Sequence, residues 1–253
     1  MTRRGMIRPV LIAALLAAPG LGVAETPASD PKAVAIADQV MKSLGGQKRW
    51  DALPGLRWTH GASVNDTVRS SRRHSWNKHS GWHRVEGKTR AGQSFCFVHK
   101  VMSDEGRAWM DGVAIEGDSL QKLLKRANSL WINDTYWMLM PYKLRDPGVT
   151  LKYEGEAREG GAVFDKLALT FENVGETPGD RYWVYVNRAG HRVERWEMVL
   201  QGDAPPAEAY TWEGWEEHGG LWFPTAHRKG GTVIFTNAVE TVKEFGPTEF
   251  SAP

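Results

Sequence analysis

"SLWINDTYWMLMPYKL", residues 129–144, decides how this chain is assembled. Trp131, Tyr136, Trp137, Met138, Leu139, Met140 and Tyr142 crowd into it, so as a strand it would be one more rung of a continuous meander. The residues before it argue against that. Leu120, Leu123, Leu124, Ala127 and Trp131 recur at helical spacing after Asp118, a residue suited to an N-cap. Asp134 is placed to cap a second short helix that ends at Met140, because Pro141 stops it. The stretch therefore belongs to a helical insertion, about 117–140, which separates two blocks of strands.

On both sides of the insertion the hydrophobic period is two. Segments rich in Trp, Tyr, Val, Phe and Thr fall near 56–64, 69–77, 80–87, 92–102 and 106–114. A second set falls near 149–157, 162–172, 180–187, 192–200, 208–217, 221–229 and 232–243. Short loops join nearly all of them, which implies antiparallel neighbours, since a parallel crossover needs a dozen or more residues. In 192–200 one face carries Trp196, Met198 and Leu200 and the other Arg195 and Glu197, so one face is wet. In 181–186 both faces are apolar, which predicts cover on both. Ahead of the strands, Asp30-Pro31 opens a helix whose Val34, Ala37, Val40, Met41 and Leu44 share a face and which Gly45-Gly46 ends. The fold class is mainly β: a large curved antiparallel sheet or unclosed β-barrel, with an N-terminal helix and a central helical insertion on its concave side.

The first 24 residues read as a secretory leader: Arg3, Arg4 and Arg8, an apolar run from Val10 to Ala18, then Gly22-Val23-Ala24 before the expected cleavage. Thr2-Arg3-Arg4-Gly5-Met6-Ile7-Arg8 resembles a twin-arginine export signal, so either that or the general secretory route is open. Three of the 32 Lys and Arg lie in the leader, so the remainder carries 29 against 30 Asp and Glu. That balance gives no case for nucleic acid. Cys96 is the single cysteine, which excludes an internal disulfide and suits a periplasmic chain with a core large enough to need no staples. Residues 25–253 are expected to form one domain and a monomer, with at most transient contact at a membrane surface.

Twelve tryptophans can fill the interior of a wide sheet, or they can line a cavity in it. Methionine beside them suits a flexible apolar ligand. The candidate lid is Trp131, Tyr136, Trp137, Met138 and Met140, and the candidate walls are Trp183, Trp196 and Tyr210 or Trp212.

The order of helix, five-strand meander, central helices and second meander resembles the LolA and LolB lipoprotein carriers and the sensor RseB. The likeness is carried by "DRYWVYVNRAGHRVERWEMVLQ" (180–201), "GGLWFPTAHRKGG" (219–231) and "NAVETVKEFGPTEFSAP" (237–253). It implies an unclosed barrel whose hydrophobic cavity is covered by helices, with 118–140 as the lid, and binding of a lipid or of a lipid-modified protein as carrier or sensor. A protein-interaction module without bound ligand is the alternative.

No nucleophile elbow, Ser-x-x-Lys start or phosphate loop is present, and no cofactor is implied. Cys96, between Phe95 and Phe97, reads as an inert buried thiol. A third possibility is a metal-dependent hydrolase, because a hairpin turning at Asn77–Ser80 can set His74 opposite His83. His60 reads as a hydrogen-bonded wall residue.

Overall fold

In the computed structural model the described residues are 28–171, 180–200, 203 and 205–251, so the expected leader lies outside them. Asp30 accepts from the Lys32 amide at 2.8 Å and Pro31 takes the first turn of α1, Pro31–Ser43. Its buried stripe is Ala33, Ile36, Ala37 and Val40, rotated slightly from the expected one, so Val34 and Met41 are half-buried. Gly45 and Gly46 then take φ of 114° and 89°. A Cβ on Gly45 would sit 2.1 Å from the Gly220 carbonyl oxygen, so that turn is confined to glycine. A short helix not foreseen from the sequence, α2, Gln47–Ala52, follows.

The first meander comprises β1, Gly55–Val64, β2, Thr67–Asn77, β3, Trp82–Lys88, β4, Ser94–Lys100, β5, Gly106–Met110, and β6, Val113–Ile115. Helix α3, Gly117–Leu139, and a 3-10 turn, Met140–Tyr142, come next. The second block is β7, Val149–Glu159, β8, Ala162–Phe171, β9, Arg181–Asn187, β10, Val193–Val199, and β11, Glu208–Thr211. It continues with the hairpin β12, Glu216–His218, and β13, Leu221–Phe223, then β14, Ala226–Lys229, and β15, Thr232–Val242. Three expected strands are each broken in two. The first breaks at Asp111-Gly112, both with positive φ, the second near Gly214, φ 66°, and the third at Pro224, which cannot donate to a ladder.

Consecutive strands pair within β1 to β6, β7 to β11, β12 with β13 and β14 with β15, and β15 returns to lie against β1. The large sheet runs β14-β15-β1-β2-β3-β4-β5-β6 and the smaller β11-β10-β9-β8-β7. Their edges meet where Glu213 bridges Ala226 and His227 Nδ1 lies 3.2 Å from the Thr211 carbonyl. The opposite edges, β6 and β7, do not pair, so the sheet is not closed into a barrel. The chain that passes from one free edge to the other is α3.

One hydrophobic cluster joins α1, the C-terminal half of α3 and both sheets. A smaller one, Val85, Phe95, Phe97 and Ala108 with Ala127, lies under the N-terminal half of α3. On β9 the second apolar face has no covering layer of secondary structure among the described residues. Lys166 and Arg195 lie over the Tyr185 ring, and Lys166 and Arg181 over Trp183, so long cationic stems do the covering. Trp196, on the inner face of β10, is fully buried against the rings of Tyr136, Trp137, Tyr182 and Trp212. Trp196→Ala is expected to cost about 3–5 kcal/mol in chemical denaturation, and Trp183→Ala about 1 kcal/mol. Equal losses would contradict this assignment of faces.

Candidate functional site

The last third of α3 is where the helix enters the core. From Trp131 to Met140 every residue is buried, as expected only for a helix surrounded on all sides. Trp137 packs on Trp196 at 4.9 Å, Tyr210 at 5.0 Å and His227 at 5.1 Å between ring centroids. Tyr136 meets Trp196 at 5.6 Å and Trp131 meets Trp76 at 5.7 Å. Trp212 is buried beside Trp196 and His227. Thus the structure brings together eight of the nine sequence-derived candidates: Trp131, Tyr136, Trp137, Met138, Met140, Trp196, Tyr210 and Trp212. Trp183 is excluded, because it pairs with Glu197 on the outer face while Trp196 pairs with Val184 on the inner one. These α3 side chains are inserted between the sheets, and the 3-10 turn that follows is tied down by the Tyr142 hydroxyl, between the Leu44 and Trp222 carbonyls.

The expected cap at Asp134 is overturned. α3 is one continuous helix beginning at Gly117 with Glu116 as N-cap, so Asp118 lies in its first turn and Asp134 in its interior. Within the continuous helix the Thr135 hydroxyl bonds back to the Trp131 carbonyl at 2.5 Å. Asp134 is released to point at the sheet, where Arg72 on β2 grips it as a fork, Nε to Oδ2 at 2.6 Å and a terminal nitrogen to Oδ1 at 2.9 Å. His60 Nε2 on β1 lies 3.3 Å from Oδ1 and His74 Nε2 on β2 lies 3.1 Å from Oδ2, the latter too oblique for a linear hydrogen bond. Asn133 adds an amide donor at 2.7 Å. Asp134 has no exposure at all.

Behind this latch runs a chain of imidazoles. His74 Nδ1 is 3.0 Å from His83 Nε2, and His83 Nδ1 is 2.8 Å from His99 Nε2. Trp58 stacks on His74 at 4.6 Å. The polar residues form an oblique belt, one per strand across six adjacent strands: His227, Thr236, His60, His74, His83 and His99, each 2% exposed or less. His74 and His83 are diagonal rather than opposite, since Trp76 is the residue across from His83. They aim ring nitrogens at each other with Arg72 nearby, which disfavours a shared cation. Among the described residues no group of three or more His, Cys, Asp or Glu is arranged to hold a metal. Cys96 is buried, and burial pushes its thiol up to about 11.

Burial depresses the histidines: His60 and His99 to about 4, His227 to about 3, and His74 and His83 in the same direction. Burial also pushes Asp134 up, but His60, Arg72 and His74 outweigh it and hold its carboxyl well below the carboxylate range.

This architecture, an unclosed antiparallel sheet with a helix packed into its interior, is the LolA-like fold. A LolA superfamily protein from Nitrosomonas europaea matches it with a TM-score of 0.54 at 11% identity, over 87% of this chain and 97% of its own. A DUF1329 family protein from Desulfovibrio piger ATCC 29098 matches with a TM-score of 0.51 at 15% identity, over 88% and 98%. No protein-family model matches the sequence, and no curated protein does.

A histidine whose folded pKa lies below its unfolded value of ~6.5 stabilises the fold fully above that pH and loses the contribution as pH falls toward 4, at up to ~1.4 kcal/mol per pH unit. Asp134, whose carboxyl is held below its unfolded value, adds to the same acid destabilisation, but only as pH falls below ~4. The melting temperature is therefore expected to drop steeply from pH 6.5 to 4, and His99→Gln to flatten that slope. A profile flat across the window would contradict the burial of the belt.

Proposed function

We propose that this chain is an exported, single-domain, periplasmic protein that binds a hydrophobic ligand, a lipid or the acyl chain of a lipoprotein, between α3 and the two sheets, as carrier or sensor. The leader at 1–24 and the absence of any catalytic motif in the sequence agree with that reading. One observation carries it: the aromatic and methionine interior is shared between the two sheets and α3, a helix that connects the unpaired edge strands β6 and β7 in the chain. A helix so placed can leave without breaking a strand pairing.

Magnitudes set the ligand's size. Exposing Trp131, Tyr136, Trp137, Met138 and Met140 costs roughly 10 kcal/mol at about 2 kcal/mol for each large side chain. At ~0.8 kcal/mol per buried methylene, a chain of about a dozen methylenes offsets it. Shorter chains fall short. Strand addition of a partner protein is less favoured, because the free edge of β7 carries Glu154, Glu156, Arg158 and Glu159, and charge discourages edge pairing.

The test is native mass spectrometry of protein purified gently from periplasm, followed by organic extraction. The expected spectrum contains a second charge-state series, heavier by one lipid, which collapses to the apo mass on activation. An apo mass that persists after incubation with periplasmic lipid extract would defeat the proposal.

A further inference from the structure

The Asp134 latch has a property beyond closure. Its two halves sit on elements that the proposed opening would separate: the carboxylate is on α3, while Arg72, His60 and His74 are fixed on β1 and β2, at the middle of the large sheet. Each carboxylate oxygen receives one guanidinium nitrogen and faces one imidazole Nε2 from the sheet. The sheet thus supplies two guanidinium donors and two imidazole nitrogens around the carboxylate, and α3 adds the Asn133 amide donor at 2.7 Å. If α3 withdraws, the largely buried guanidinium is left beside His60 and His74 without its counter-charge, an outcome costing several kcal/mol unless another anion arrives.

Two further polar atoms face the same interior. Thr236 Oγ1 and His60 Nδ1 belong to residues directly opposite one another on β15 and β1, both are buried, and neither has a hydrogen-bond partner among the described residues. Along α3, Asp134 is followed at three and four positions by Trp137 and Met138, its neighbours on one helical face. Helix α3 thus presents an acid leading into apolar side chains, the pattern of an acidic amphiphile.

We propose that Arg72, His60 and His74 form the binding site for the carboxylate headgroup of a long-chain amphiphile, and that Asp134 occupies this site when the protein is closed. The headgroup replaces Asp134, and the hydrocarbon follows the track of Trp137 and Met138. The inference rests on the hydrophobic-binding reading above and adds to it the chemical class of the ligand.

The test compares hexadecanoate with 1-hexadecanol, each delivered from cyclodextrin at neutral pH and titrated by intrinsic tryptophan fluorescence. Both bury the same chain, so their affinity ratio isolates the headgroup. Wild type is expected to prefer the acid by about tenfold or more, the range of a charge-assisted pair. Arg72→Gln is expected to bring the ratio to about one. Should that single variant fold poorly, the uncharged pair Arg72→Gln/Asp134→Asn gives the same readout with no orphaned charge. Equal binding of acid and alcohol by wild type, or an acid preference that survives in the double variant, would overturn the headgroup site while leaving hydrophobic binding intact. Binding of neither would remove the binding reading and this inference with it.

Discussion

The buried carboxylate of Asp134 is the constraint on which the arrangement turns. A charge with no exposure in an interior of Trp, Tyr and Met can exist only if it is answered at close range, and Arg72 with His60 and His74 answers it. This requirement fixes α3 as no apolar contact could. A shift of one residue along the helix turns each side chain by about 100°, which would carry the charge away from Arg72 and into the aromatic wall. Hydrophobic burial brings the helix onto the inner face of the sheets. The ion pair sets its depth and rotation.

The same interior is less settled than its burial suggests. The indole N–H groups of Trp58, Trp76, Trp131, Trp196 and Trp212 are buried with no hydrogen-bond partner among the described residues. Each such donor forfeits roughly 1–3 kcal/mol relative to a satisfied one. Apolar area therefore overstates how firmly the helix and sheets are held together, while the strand ladders beneath retain their bonds. An element with a good polar anchor and an imperfect apolar interface is suited to leaving as a unit, and the unpaired edges of β6 and β7 give it a way out.

Much of this was legible in the sequence. Period-two patterning located nearly every strand, Asp30-Pro31 marked the first helix, and the helical spacing from Leu120 to Trp131 placed the insertion between two meanders. What misled was local chemistry. Asn133-Asp134-Thr135 has the composition of a helix boundary, yet tertiary pairing with Arg72 overrode the local preference and the helix ran through it. Tyr185 and Trp183 read as covered by a second layer, whereas cationic stems cover them, which a pattern of apolar positions cannot distinguish. The histidine belt left a signal that went unused: His60 continues the inward row Leu56, Trp58, and His99 continues Phe95, Phe97. A histidine in an apolar slot of a strand is a buried histidine. That five such residues and Thr236 line up on six neighbouring strands depends on register and on the return of β15 to β1, and neither is visible locally.

Native-state hydrogen exchange addresses the central claim, that α3 is a cover distinct from the core it fills. Amides of residues 118–139 are expected to open at a free energy clearly below that of β1, β2, β9 and β10, and to exchange as one cooperative block. If instead those amides exchange only through the global unfolding that also exposes β1 and β10, α3 is an inseparable part of the core and the molecule has no lid.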